Sequence, residues 1–277
     1  MVTCETVRGP ADACALGAFR QLRFDNMYTI TIQTVADLSR EVDMLIEQTN
    51  LRWWFRGHSS ADWDLLPSVR RRYLREQERY LSNEFFVRAK LRYPNCPPDE
   101  DYAGWLALMQ HYGLPTRLLD WSRSPLIAAF FATEPYQRHS YERSNVDACI
   151  WALAPATLNE KQGFEPLLYP LNAGILQDLI RPSRKGEDTT NKIAAAMAVE
   201  TDLRMQMQQG AFTVHASDES LNLMSDCQDW LRRYVVPVES LPSMARELDL
   251  LGFRLGDLFP DLGNLARELK GIHRPLR

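Results

Sequence analysis

Residues 111–132 read HYGLPTRLLDWSRSPLIAAFFA. The first half gathers His111, Tyr112, Thr116, Arg117, Asp120, Trp121 and Ser122, and the second half is almost wholly apolar. Gly113 suits the position just past a helix, so the preceding residues 100–112 read as a helix that stops there. TRLLDW then reads as a strand. Its alternation puts Arg117 and Leu119 on one face and Leu118, Asp120 and Ser122 on the other. Ser124-Pro125 opens a buried helix with proline in its first turn.

The same reading extends outward. Residues 33–50 place Val35, Leu38, Val42 and Leu45 at helical spacing. WWFRG (53–57) is a short aromatic strand. Pro67 to Arg92 is expected to be one helix, with Tyr73, Tyr80, Val87 and Leu91 as its apolar stripe. DACIWALAP (147–155), AFTVH (211–215) and RRYVVPV (232–238) read as strands. Residues 156–190 are expected to be loop-rich, and 181–192 a mobile polar connection. The alanine-rich run from Lys192 to Gln209 is expected to be helical. MARELDLLGF and GNLARELKGI are C-terminal helices. No regular βαβ rhythm and no glycine-rich phosphate loop follow, so the class is α+β and not doubly wound. Residues 1–29 form an N-terminal extension and 30–272 a single domain.

A chain of 277 residues can bury a substantial core. No apolar run of about 18 residues is present, so no membrane partner is expected, and no secretory signal is read. A cytoplasmic location follows from that reading. The cysteines, at 4, 14, 96, 149 and 227, are scattered and odd in number, which fits reduced thiols and no metal site. Net charge is −4, yet all but five of the 32 basic residues are arginine, the better fork for phosphate and carboxylate. H-E-x-x-H, G-x-S-x-G and Walker patterns are missing, which weakens metalloprotease, hydrolase-elbow and P-loop readings.

Five places hold candidate chemistry. Arg56, at a strand end among aromatic rings, calls for an anion or a carboxylate such as Asp62, Asp64 or Asp120. His111 is either an acid/base group or a helix-end histidine. Asp120 and Ser122 are either site residues or caps of the helix that follows. Arg204, Gln206, Gln208 and Gln209 crowd a helix end before Gly210, with a glutamine as a ligand-holding amide or all as an ordinary polar face. The basic run 70–92 is either a phosphate-binding surface or a solvated helix face.

FRGHSSADWDLLPSVRR, MQHYGLPTRLLDWSRSPLIAAFFA, RMQMQQGAFTVH and LFPDLGNLARELKG together resemble the FRG domain family, whose name is the motif Phe55-Arg56-Gly57. The resemblance spans about 30–272. Ser122 stands where most members carry threonine. The family is distantly similar to ADP-ribosyltransferases, which split NAD and transfer ADP-ribose. That similarity implies a single α+β domain with a split, mixed or antiparallel sheet and surrounding helices. It implies NAD as substrate, bound by Phe55, Arg56, Gly57, His111, Thr116, Arg117 and Ser122. Arg56 would hold the phosphates or ribose, Ser122 the nicotinamide ribose, and His111 and Arg117 the diphosphate. The glutamate usual at the third element is replaced by Gln208 or Gln209, so Asp120, Glu200 or Gln208 would face the developing positive charge. The implied role is a toxin-like or defence effector modifying RNA, DNA or protein, with a neutralising protein as partner. Two other readings stand beside it: a non-catalytic nucleic-acid-binding module, and a sensor of NAD or ADP-ribose.

Overall fold

The computed structural model describes residues 28–137, 145–198 and 203–272. The N-terminal residues 1–27 and the candidate carboxylate Glu200 lie outside the described residues. Within them the chain is α+β, with one mixed eight-stranded sheet and twelve α-helices. The strands are β1 (Thr29–Thr31), β2 (Trp54–His58), β3 (Leu118–Ser122), β4 (Ala148–Leu153), β5 (Tyr169–Pro170), β6 (Ile193–Met197), β7 (Gly210–His215) and β8 (Leu231–Val236). The helices are α1 (Val35–Thr49), α2 (Ser68–Arg72), α3 (Arg75–Ala89), α4 (Tyr102–His111), α5 (Pro125–Ala132), α6 (Glu134–Gln137), α7 (Pro155–Lys161), α8 (Gln177–Ile180), α9 (Leu203–Met207), α10 (Leu241–Leu250), α11 (Leu255–Leu258) and α12 (Leu262–Ile272). None of the described helices is long and apolar enough to cross a membrane.

Sheet order is β1-β8-β4-β2-β3-β7-β6-β5. The edge pairs β1–β8 and β5–β6 are parallel and the rest antiparallel. The middle is the unusual part. β2 meets β4 at five registered residues and β3 meets β7 at five, but β2 meets β3 only at Phe55–Ser122. The sheet is therefore two four-stranded halves that part beyond one residue pair.

Local chemistry explains the elements on either side. Thr34 caps α1 in a reciprocal box with Asp37, and Val35, Leu38, Val42 and Leu45 are buried as their spacing requires. In α4, Gly113 N–H reaches Gln110 O and Leu114 N–H reaches Met109 O, with Gly113 at φ +79°, a paired-bond glycine stop. Ser124 caps α5 and Pro125 fills its first position, so neither Asp120 nor Ser122 is the cap. Helix α5 lies against β2, where a Cβ on Gly57 would sit 1.9 Å from Ala128 O. Only glycine permits that approach.

Four expectations are corrected. Residues 192–209 are not one helix: Ile193–Met197 is a buried strand, and Leu203–Met207 a short helix. Two-residue β5 leaves Ala195 without a strand partner on that side. The buried Asn159 amide supplies it, accepting from Ala195 N (2.7 Å) and donating to Ala195 O (3.0 Å). Tertiary pairing thus overrides alanine's helical preference. The helix at 67–92 breaks at Tyr73-Leu74 and faces the other way: Tyr80, Val87 and Leu91 are exposed, and Glu78, Ser82 and Ala89 are buried. The 156–190 region carries α7, β5 and α8. The 181–192 connection is tied down, with Asp188 bound to Arg75 and Arg117. The three described cysteines, Cys96, Cys149 and Cys227, are free thiols.

Candidate functional site

The site forms where the halves part. His215 N donates to Arg117 O and Arg123 N donates to Gln209 O, so odd-numbered residues of this segment bond toward β7. Main-chain groups of even-numbered residues, Asp120 among them, therefore face β2. Beyond Phe55–Ser122 the β2 ladder is gone, and the Asp120 carbonyl has lost its strand partner. Arg56 Nη1 takes that place, donating to Asp120 O at 2.6 Å. A side chain closes the ladder that the backbone leaves open.

Arg56 is gripped twice. Its Nε donates to His58 Nε2 at 3.0 Å, two residues along the same strand face. That bond requires an unprotonated Nε2. Burial, then the charges of Arg56 and Arg71, hold the His58 pKa well below its usual value, which keeps the ring neutral. Burial also lowers the Arg56 pKa, Asp120 opposing and Arg71 adding to the effect. The Arg56 side chain is 19% exposed and the Asp120 side chain 55%, with Nη1 and Oδ2 4.0 Å apart. Of the three carboxylates considered for Arg56, the structure brings up Asp120. The result is an arginine fixed by its protein contacts, beside an accessible carboxylate.

A third element completes the wall. Gln110, in the last turn of α4, donates from Nε2 to Asp120 Oδ2 at 2.6 Å. Thr116 is 1% exposed and donates to Gln110 Oε1 at 2.6 Å. Sequence reasoning missed both His58 and Gln110. The signals were adjacency: His58 shares the face of Arg56, and Gln110 precedes His111 at a helix end.

The other expected residues have these places. Phe55 is core, 3% exposed, and Gly57 is the contact with α5. Ser122 is buried beside the split; its hydroxyl donates to Gln208 O (2.8 Å) and accepts from Ser124 N (3.0 Å). The Gln208 amide turns away, donating to Leu258 O at 2.9 Å. His111 packs edge-on against Tyr112, and its carbonyl accepts from Arg204.

Arg117 does not join Arg56. It is 0% exposed and forms a fork with Glu78, Nε to Oε1 and Nη2 to Oε2 at 2.8 Å each. Its Nη1 donates to Asp188 and to Leu179 O. Arg70 lies 3.1 Å from the same Glu78. Burial raises the Asp188 pKa, but Arg117 and Arg75 outweigh that and hold it low. The expected diphosphate contact through Arg117 is replaced by a structural ion cluster. Much of the basic run is engaged likewise: Arg75 with Asp188 and Asp218, Arg88 with Glu84, Lys90 with Asp99. Within one half, across the β3–β7 pair, Trp121 Nε1 donates to Thr213 Oγ1, which lies 2.9 Å from His215 Nε2. Burial, with Arg70 and Arg56 nearby, pushes His215 down to about 3.

Among the described residues no group of His, Cys, Asp and Glu side chains is arranged to hold a metal ion. Compared with protein-family models, residues 51–141 match the FRG domain, which supports the resemblance carried by Phe55-Arg56-Gly57 and the 111–132 stretch. The matched segment includes β2, α4 and β3, and so both walls of the split. No curated protein and no solved structure matches the chain.

Proposed function

We propose that the chain is an NAD-dependent ADP-ribosyltransferase-like enzyme, with NAD seated where β2 and β3 part. The observation that carries this reading is Arg56, pinned to His58 and to Asp120 O at the opening of the split, with the Asp120 carboxylate exposed beside it. The hydrogen bonds that hold Arg56 end on neutral acceptors, with the Asp120 carboxylate 4.0 Å off, so its remaining Nη protons suit a diphosphate. The neighbouring carboxylate suits the positive charge that grows on the ribose as nicotinamide leaves.

In this reading the bond between ribose C1′ and the nicotinamide nitrogen breaks, and its electron pair leaves with nicotinamide. An acceptor O–H or N–H forms the new bond to C1′, and Asp120 takes its proton. Ser122 acts through the backbone, tying Gln208 to the end of β3. The acceptor, whether nucleic acid or protein, and any neutralising partner belong to this proposal as well. The nucleic-acid-module reading draws less support, because much of the 70–92 basic run pairs within the chain.

The test is incubation of the full chain with adenine-labelled NAD and, separately, RNA, DNA or a cell protein extract. Nicotinamide release and label transfer to one acceptor, both lost in Arg56→Ala, are expected. Saturable NAD binding without release identifies a sensor instead, and neither binding nor release overturns the proposal.

A further inference from the structure

We infer that Gln110 is a positioning residue that fixes which oxygen of Asp120 faces the cleft. The inference rests on the reading of Asp120 as the carboxylate beside the reacting carbon. It follows from proton directions along a short chain of hydrogen bonds that ends on a carboxylate. Leu118 N–H donates to Thr116 Oγ1 at 3.1 Å, which occupies the hydroxyl as an acceptor. An ionised Asp120 carboxylate can only accept, so the Gln110 atom 2.6 Å from Oδ2 is the amide nitrogen. The amide oxygen then faces Thr116, 2.6 Å away, and the hydroxyl donates its one proton to it. The flipped amide would set its oxygen against a carboxylate oxygen.

The chain of donors Leu118 N–H, Thr116 Oγ–H, Gln110 Nε2–H therefore ends on Oδ2, which must accept. Oδ2 is committed to the protein, with Arg56 Nη1 also 4.0 Å from it. Oδ1 takes part in neither contact. Three elements set this up: α4 supplies Gln110, the turn after Gly113 supplies Thr116, and β3 supplies Asp120. Thr116 is almost fully buried, so the relay is anchored in the core while its last member reaches the exposed carboxylate.

The test has two arms on the full chain. In the first, the Gln110 side-chain amide is followed by ¹⁵N NMR in the free protein. One downfield, exchange-protected amide proton is expected, displaced by Asp120→Asn and lost to protection in Thr116→Val. A Gln110 amide that exchanges like a surface glutamine and ignores both substitutions overturns the inference. In the second arm, Gln110→Met keeps the side-chain shape and removes the donor. A drop in the kcat of nicotinamide release of ~10-fold to ~100-fold is expected, with KM for NAD little changed. The Gln110→Met/Asp120→Asn double variant should be no slower than Asp120→Asn. Additive losses overturn the inference, since a general structural role would add. Absence of nicotinamide release in the wild type overturns the transferase reading instead, and the first arm still decides what Gln110 does to Asp120.

Discussion

Glu78→Met removes one carboxylate from a place where three groups depend on it. Glu78 is 1% exposed and accepts both arms of the Arg117 fork at 2.8 Å, with Arg70 Nη1 3.1 Å away. The substitution leaves Arg117 Nε and Nη2 without acceptors in a site closed to water. Arg117 keeps Asp188 and Leu179 O, and Arg70 keeps Asp218 at 3.5 Å. Breaking a buried pair by removing one partner costs about 3–5 kcal/mol. Against a total stability of about 5–15 kcal/mol, that is a large fraction. With a urea slope near the upper end of the usual range, about 3 kcal/mol per molar, the midpoint should fall by at least ~1 M. Urea unfolding followed by tryptophan fluorescence reads this directly. Glu78→Met/Arg117→Met should cost less than Glu78→Met alone, because the stranded charge goes with its partner. A single-variant loss below about 1 kcal/mol would refute the view of Arg117 as the centre of a structural cluster.

Gly57→Ala would place a methyl 1.9 Å from Ala128 O and 2.5 Å from Ala132 N, both main-chain atoms. Helix α5 would have to retreat by over ~1 Å; overpacking of this kind costs about 1–3 kcal/mol, and a melting temperature unchanged from wild type would contradict the packing. Asn159→Leu strips the amide that completes β6, with an expected loss of about 2–3 kcal/mol and faster hydrogen exchange at Ala195 N–H; unaltered exchange there would count against it. His215, held neutral down to about 3 in the fold, takes its proton near 6.5 when unfolded. Its stabilising effect is complete above pH 6.5 and falls by about 1.4 kcal/mol per pH unit below that, and His58 acts in the same direction. Urea stability should drop by more than about 2 kcal/mol between pH 7 and pH 5; a flat profile would mean that neither ring is held neutral.

The legibility of the fold divides along the range of the forces. Helices α1, α4 and α5 were readable because their signals lie within a few residues: the spacing of Val35, Leu38, Val42 and Leu45, the glycine stop at Gly113, and Ser124-Pro125 at the start of an apolar run. Strand β6 was not, since IAAAM favours a helix locally and becomes a strand by pairing with β7 and, at Ala195, with Asn159, 36 residues away. The reversed face of α3 has the same origin. An apolar stripe predicts burial, but Glu78 turns inward to meet Arg117, 39 residues on, and carries the helix with it. The site was half legible. Arg56, Asp120 and Thr116 stand out by type and spacing, and Asp120 was among the acids considered for Arg56. Their junction across 64 residues exists only because β2 and β3 part after one pair. Gln110 and His58 gained importance from that junction, and nothing in their own residue types announced it. Arg117 misled because a buried structural fork and a phosphate fork use the same side chain.

The central claim is that NAD enters the split at Arg56. The Nε–H of this residue is bonded to the buried His58 ring, so it should give a protected ¹⁵Nε resonance in the free protein. Titrating NAD while following that resonance is the most direct measurement. A saturable shift of the Arg56 Nε signal, absent for Arg117 Nε in the ion cluster, is what the account predicts. Saturation that moves signals elsewhere and leaves Arg56 Nε unchanged, or no response at millimolar NAD, would contradict it.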